Sequence, residues 1–151
     1  MPQSLAQIYI HAIFSTKNRQ SFLSDEQIRR EMHTYLASIL KAYGSKPIIV
    51  GGTADHVHIL CTLSRIVTIS KIIGETKRGS SKWVKTKDDT LSAFQWQNGY
   101  GVFSVSHSNV PRVRNYISNQ EEHHKKRNFQ DEFRNFLNKH VVEFDERYVW
   151  D

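Results

Sequence analysis

The sequence predicts an α+β fold: a ferredoxin-like split βαβ, ordered β-α-β-β-α-β, with an antiparallel sheet and an additional C-terminal helix that bears a tyrosine. Three observations predict it. Short β-rich apolar runs alternate with amphipathic stretches, two of those runs are joined by a Gly-containing turn, and a polar-faced helical stretch follows the last run.

Each element has its own signal. "LAQIYIHAIF" is the first strand. "SFLSDEQIRREMHTYLASILKAYG" is a helix, with Ser24 as N-cap, acids in its first turn, periodic Ile28, Met32, Tyr35, Leu36, Ile39 and Leu40, and Gly44 as its stop. "KPIIVGG" and "HVHILCTL" form a hairpin around "GGTAD". "TISKIIGETKRGSSKWVKTK" is a less ideal helix, because Gly74 and Gly79 each cost about 1 kcal/mol relative to alanine. "YGVFSVSHS" is the fourth strand. A third helix runs from Ser108 to about Lys126, capped by Ser108 or Asn109 with Pro111 in its first turn. "FQDEFRNFLNKH" is amphipathic and helical, and "VVEFDERYVWD" carries no assignable element.

With 151 residues, 38% of them hydrophobic, the chain is long enough for one domain with a real core, spanning residues 1–151. No apolar run approaches the roughly 20 residues of a membrane helix. The opening "MPQSLAQIYIHAIF" lacks the basic region and cleavage site of a signal peptide, so the expected location is the cytoplasm, with no membrane partner. The lone Cys61 has no internal disulfide partner and reads as a buried small hydrophobe. Net charge is +6, and between Arg65 and Lys87 seven bases stand against one acid, Glu75. Such a surface attracts a polyanion, although Asp88 and Asp89 dilute it at once; a solvated basic helix face is the plainer alternative.

The third strand carries the chemistry. In "DHVHIL", His56 and His58 share one face while Val57, Ile59 and Cys61 point the other way. Two imidazoles so placed suit one divalent ion, but an H-x-H alone is equally a pair of hydrogen-bonded histidines. On the third helix Tyr116, Gln120, Val113, His124, Ile117 and His123 fall within about a 120° arc. That face is too polar for a core stripe; it suits the lining of a site, or else a half-buried Tyr116 over a solvated Gln120.

These residues carry a resemblance. "STKNR", "GGTADHVHIL", "FQWQNGYGVFSVS" and "VRNYISNQEEHH", in this order, resemble the HUH single-tyrosine transposases of small hairpin-ended bacterial insertion sequences, nearly end to end. The resemblance implies Tyr116 as nucleophile and His56, His58 and Gln120 as ligands of Mg²⁺ or Mn²⁺. It further implies a homodimer that nicks and rejoins single-stranded DNA at hairpin-marked ends through a 5′-phosphotyrosine, in the nucleoid-associated cytoplasm. Lys17, Arg19, Arg65, Lys71, Lys77, Arg78, Lys82 and Lys85 are the expected phosphate or hairpin contacts, with Trp96 and Tyr100 as stacking platforms or as core or dimer-contact residues. Asp55 either orients a ligand histidine or serves its turn; His123 and His124 are ligands or solvated residues; His11 and His107 are read as structural.

Three other readings compete. A non-catalytic hairpin or single-strand binder on the same fold would show exposed sheet aromatics in an RNP pattern, which this sequence lacks. A two-histidine phosphoesterase needs two H-x-T/S motifs, whereas His58 and Leu60 follow His56 and His58 at i+2. A domesticated, repeat-associated nickase would keep the same residues.

Overall fold

The computed structural model describes residues 2–151. Its elements are β1 (Tyr9–Ser15), α1 (Glu26–Ala42), β2 (Pro47–Gly52), β3 (His56–Thr62), α2 (Ile69–Val84), β4 (Gly101–Val105), α3 (Val110–Ser118), α4 (Gln120–His123) and α5 (Phe129–Lys139). The four strands form one antiparallel sheet in the order β2-β3-β1-β4, which is the predicted split βαβ arrangement. No helix is long and apolar enough to cross a membrane.

Strand alternation divides the residues between two layers. On one face Ile10, Ala12 and Phe14 of β1 and Val57, Ile59 and Cys61 of β3 pack against Met32, Leu36 and Leu40 of α1 and Ile72, Ile73 and Val84 of α2. That buried apolar face holds α2 together despite its internal glycines, since packing outweighs intrinsic propensity. Burial also pushes the Cys61 thiol up to about 12, so it stays protonated and inert. The opposite sheet face carries His11, Ile13, His56, His58 and Phe103, and it is covered by α3 to α5.

Two local expectations are corrected, and the unassigned tail finds its place. The α1 N-cap is Asp25, whose carboxylate accepts from the Ile28 N–H at 3.0 Å, one residue later than Ser24. The third helix is not continuous: it breaks at Asn119 (φ −105°, ψ 23°), whose side-chain amide donates to the Asn115 carbonyl at 2.9 Å and competes with helical bonding. The break turns Gln120 inward behind Ile117, leaving both 1% exposed. The tail after α5 folds back, with Phe144, Val149 and Trp150 against the Phe129–Phe133–Leu137 cluster and the Asp151 carbonyl accepting from the Gly99 N–H at 2.7 Å.

Two glycines set the distance of the covering helices. A Cβ at Gly51 would lie 2.8 Å from the Ile117 carbonyl oxygen, and one at Gly101 would lie 2.5 Å from the Phe133 ring. Their bare backbone lets α3 and α5 approach the sheet closely enough for Gln120 and Glu132 to reach the histidines.

Candidate active site

Cross-strand register brings three histidines onto one patch. Ser15 of β1 pairs with His56, Ile13 with His58, and His11 with Leu60, so His11, His56 and His58 share the covered face. His56 and His58 are both fully buried. Their rings lie 5.2 Å apart, centroid to centroid.

Each ring is fixed by further partners. His56 Nδ1 lies 2.7 Å from Asp55 Oδ1 and 3.0 Å from Thr53 Oγ1, and its Nε2 lies 2.9 Å from Gln120 Oε1. Burial opposes ionisation of Asp55, but its hydrogen bond with His56 outweighs that and holds the carboxyl below the usual range. Asp55 thus orients a candidate ligand, the first of the two roles open to it. His58 Nδ1 lies 2.8 Å from His11 Nε2, and His58 Nε2 lies 2.9 Å from Glu132 Oε1. Burial lowers His58 to about 4 despite the neighbouring carboxylate, so it is neutral: Nε2–H donates to Glu132 and Nδ1 accepts from His11. His11 is therefore part of the site as well as part of the strand.

Glu132 is the residue that sequence reasoning missed. It sits on α5, is fully buried, and accepts from His58, from His124 at 3.1 Å, from Gln120 Nε2 at 3.1 Å and from the Tyr116 hydroxyl. Burial alone would raise its pKa, but the hydrogen bonds from His124 and His58 outweigh it and keep the carboxylate ionised. A signal was present: Glu132 lies at i+3 from Phe129 and beside Phe133, on the apolar stripe of an amphipathic helix where a lone carboxylate needs a partner.

Tyr116 reaches the same patch from α3, with its ring 5.9 Å from His58, stacked on His123 at 4.6 Å and edge-on to Phe136 at 5.6 Å. Burial, and then the Glu132 charge and hydrogen bond, raise its pKa well above the ordinary tyrosine value. Arg127 approaches the phenol oxygen at 3.3 Å. All these groups come from one chain.

The donor set fits a metal. Ligand atoms of His56, His58, His124 and Glu132 lie within 4.8 Å of one another. The Gln120 amide is pinned by its N–H bond to Glu132, so its oxygen faces His56 Nε2, whose other nitrogen already serves Asp55. His56 Nε2 and Gln120 Oε1 lie 2.9 Å apart, a spacing that suits either a hydrogen bond between them or two adjacent ligands of one ion.

The expected DNA contacts scatter more widely. Lys17, Lys77, Arg78, Lys85 and Trp96 line one cavity of about 580 Å³ beside α2. Within it the Lys77 ammonium is already held by the carbonyls of Gln97, Asn98 and Gly99, at 2.8, 3.3 and 2.5 Å. Trp96 is only 6% exposed, edge-on to Phe14 and Phe94 and donating to Ser80, so its ring is core and offers no open face to a base. Lys71 and Arg78 pair with Glu75, Arg65 lines a separate cavity beside Gly44, the Arg19 guanidinium lies 5.8 Å above Trp150, and Lys82 is exposed.

Comparison with known proteins agrees with this architecture. A crystal structure from Deinococcus radiodurans R1, provisionally described as a transposase, superposes with a TM-score of 0.62 at 22% identity, over 80% of this chain and 95% of that one. A REP-associated tyrosine transposase bound to a REP hairpin superposes with a TM-score of 0.58 at 16% identity, over 82% of this chain and 73% of that one. At such identities these likenesses speak for the fold. No curated protein matches the chain. The sequence matches the family described as "Transposase IS200 like" over residues 4–120, from before β1 to Gln120, and with that match running through the histidine pair and the tyrosine helix, the chain belongs to the IS200-like transposase family.

Proposed function

We propose that this transposase is a metal-dependent enzyme that nicks and rejoins single-stranded DNA at hairpin-marked ends, with Tyr116 as its nucleophile. The observation that carries the reading is the meeting of Tyr116 and Gln120 with His56 and His58 on one buried face, with His56 Nε2 2.9 Å from Gln120 Oε1. His56, His58 and Gln120 would hold the divalent ion, with His124 and Glu132 within reach, once His58 takes the tautomer that donates Nδ1–H to His11 and leaves Nε2 free. Bound there, the ion supplies Lewis-acid polarisation of the scissile phosphate. Imidazole donors are untypical of Mg²⁺, which prefers all-oxygen coordination, so the two histidines suit Mn²⁺ better.

The chain's own groups account for the rest. Tyr116 Oη forms a bond to phosphorus as the P–O3′ bond breaks, leaving a 5′-phosphotyrosine; the departing 3′ oxygen takes a proton from solvent, and the phenolic proton leaves to solvent, because Glu132, held ionised by its histidine hydrogen bonds, is too weak a base to keep it. Until the Glu132 charge is offset, burial and that charge keep the proton on Tyr116. Attack by a 3′-hydroxyl on the phosphotyrosine reverses the step, and since bond types are conserved no ATP is required. A homodimer supplies one tyrosine for each of two DNA ends. The neighbour bound to a REP hairpin supports a hairpin as the partner.

The test is a covalent-adduct assay. Single-stranded DNA from the ends of the native locus, labelled 3′ to the possible nicks, is incubated with protein and Mn²⁺ or Mg²⁺ and run on a denaturing gel. A protease-sensitive shifted band that requires single strands, metal and Tyr116 is the expected result; tight hairpin binding with no band would leave a binding protein only.

A further inference from the structure

A cleft of about 240 Å³ opens beside Tyr116, between α3 and α5. Arg112 enters it from α3, Arg127 from the segment before α5, and Lys139 from the end of α5, with the Asn109 and Asn135 amides between them. No carboxylate lines it. Among the described residues none of these three cations has an ion-pair partner, whereas Arg134 on the same α5 is bound to Asp131 and Glu146. Helix stability does not account for Arg112 either: it lies in the first turn of α3, where the helix dipole disfavours positive charge.

Three unpaired cations around a concavity walled in part by Tyr116 define a site for an anion. We propose that this cleft seats a backbone phosphate of single-stranded DNA adjacent to the scissile one, neutralised by Arg112, Arg127 and Lys139, so that the strand lies against Tyr116. The inference rests on Tyr116 being the nucleophile. Arg127 couples the two, since it reaches both the cleft and the phenol oxygen, at 3.3 Å from the latter. The family match ends at residue 120, so Arg127, Asn135 and Lys139 are a wall contributed by the chain beyond it. The apolar Phe136 ring in that wall suits a deoxyribose.

The experiment measures the salt dependence of binding, because it counts neutralised phosphates without requiring catalysis. A fluorescent single-stranded oligonucleotide from the locus ends is titrated, over a range of salt concentrations, with Tyr116→Phe protein and with the same protein carrying Arg112→Gln, Arg127→Gln and Lys139→Gln. A control carries Arg30→Gln, Lys41→Gln and Lys46→Gln, an equal loss of charge on exposed residues of α1 and the loop after it. Circular dichroism checks that all three fold. The cleft variant is expected to bind about tenfold more weakly at low salt, with a log–log slope shallower by roughly 0.7 for each phosphate no longer neutralised, while the control keeps the parent slope. Equal slopes in all three proteins, an equal drop in the control, or no single-strand binding by the parent would overturn the proposal. The adduct assay on protein with Tyr116 separates the two readings: an adduct without a slope difference leaves the chemistry standing and removes the cleft, and a slope difference without an adduct leaves a phosphate-binding cleft but overturns its place beside a scissile phosphate.

Discussion

The Tyr116 hydroxyl donates to Oε2 of Glu132, a fully buried carboxylate on the next long helix. The pair opposes ionisation of the phenol, because a phenolate there would lie against a second negative charge in a site of low polarity. Replacing that carboxylate with an amide removes the repulsion. Glu132→Gln is therefore expected to let Tyr116 ionise at least ~1 pH unit lower than in the parent protein. An ultraviolet difference titration against Tyr116→Phe reads this one tyrosine; an unchanged titration would mean that Glu132 does not govern the phenol.

Tyr116→Phe removes the oxygen and little else. The ring keeps its stacking on His123 and its edge contact with Phe136, so hairpin and single-strand binding should stay within about twofold of wild type. The covalent DNA adduct should disappear. A protein that still forms it would take the nucleophile assignment away from Tyr116.

For the metal, the double change His56→Ala and His58→Ala deletes two of the candidate donors at once. Calorimetric titration with Mn²⁺ should show one site in wild type and no measurable binding in the double variant, with metal-dependent cleavage lost in parallel. Retained stoichiometric binding would place the ion elsewhere.

How much of this was legible in the sequence follows from the range of the interactions. The strands, the hairpin and α1 are written in local periodicity, and the i, i+2 rule places His56 and His58 on one face without any tertiary knowledge. Tyr116 and Gln120 stand out because their helix face is too polar for a core. Glu132 and the His11–His58 bond escaped because each is a contact between elements far apart in sequence, set by the approach of α5 and by the β1–β3 register. For Trp96 the sequence left stacking and core roles both open, because its burial depends on Phe14 and Phe94, which lie in other parts of the chain or are placed by tertiary packing. The break at Asn119 turns on one side chain choosing the Asn115 carbonyl over solvent, which periodicity does not register.

The close seating of α3 predicts its own sensitivity. Gly51→Ala puts a methyl carbon 2.8 Å from a backbone oxygen of Ile117 and 2.9 Å from that side chain's Cγ2, and backbone has little room to yield. Overpacking of this kind costs about 1–3 kcal/mol. Urea unfolding should show that loss, and Mn²⁺ affinity should fall with it because Gln120 rides on the displaced segment. Alanine at Gly74, with nothing near its added Cβ, should instead be neutral or stabilising.

Stability of the metal-free protein should fall between pH 7 and 5. His58 is held at about 4 by burial, against 6.5 in an unfolded chain. Between those values the unfolded state binds a proton that the folded state refuses, so stability rises with pH across this window; it is fully present above 6.5 and is lost as pH drops toward 4. By pH 5 the loss from His58 alone is about 2 kcal/mol. His33 acts in the same direction: burial, then the Arg29 charge, lower it to about 4, and its buried Nε2 has no hydrogen-bond partner. The depressed carboxyl of Glu132 works in a different window, since an ordinary glutamate titrates near 4.5 and its contribution is lost only as pH falls below that. Urea midpoints measured in EDTA at half-unit intervals separate the two regimes. His33→Leu should flatten the upper slope without lowering stability at pH 7, because no hydrogen bond is broken. A wild-type profile already flat from pH 7 to 5 would mean that these histidines are charged in the folded protein, and the assignment of His58 as a neutral donor to Glu132 would fall with it.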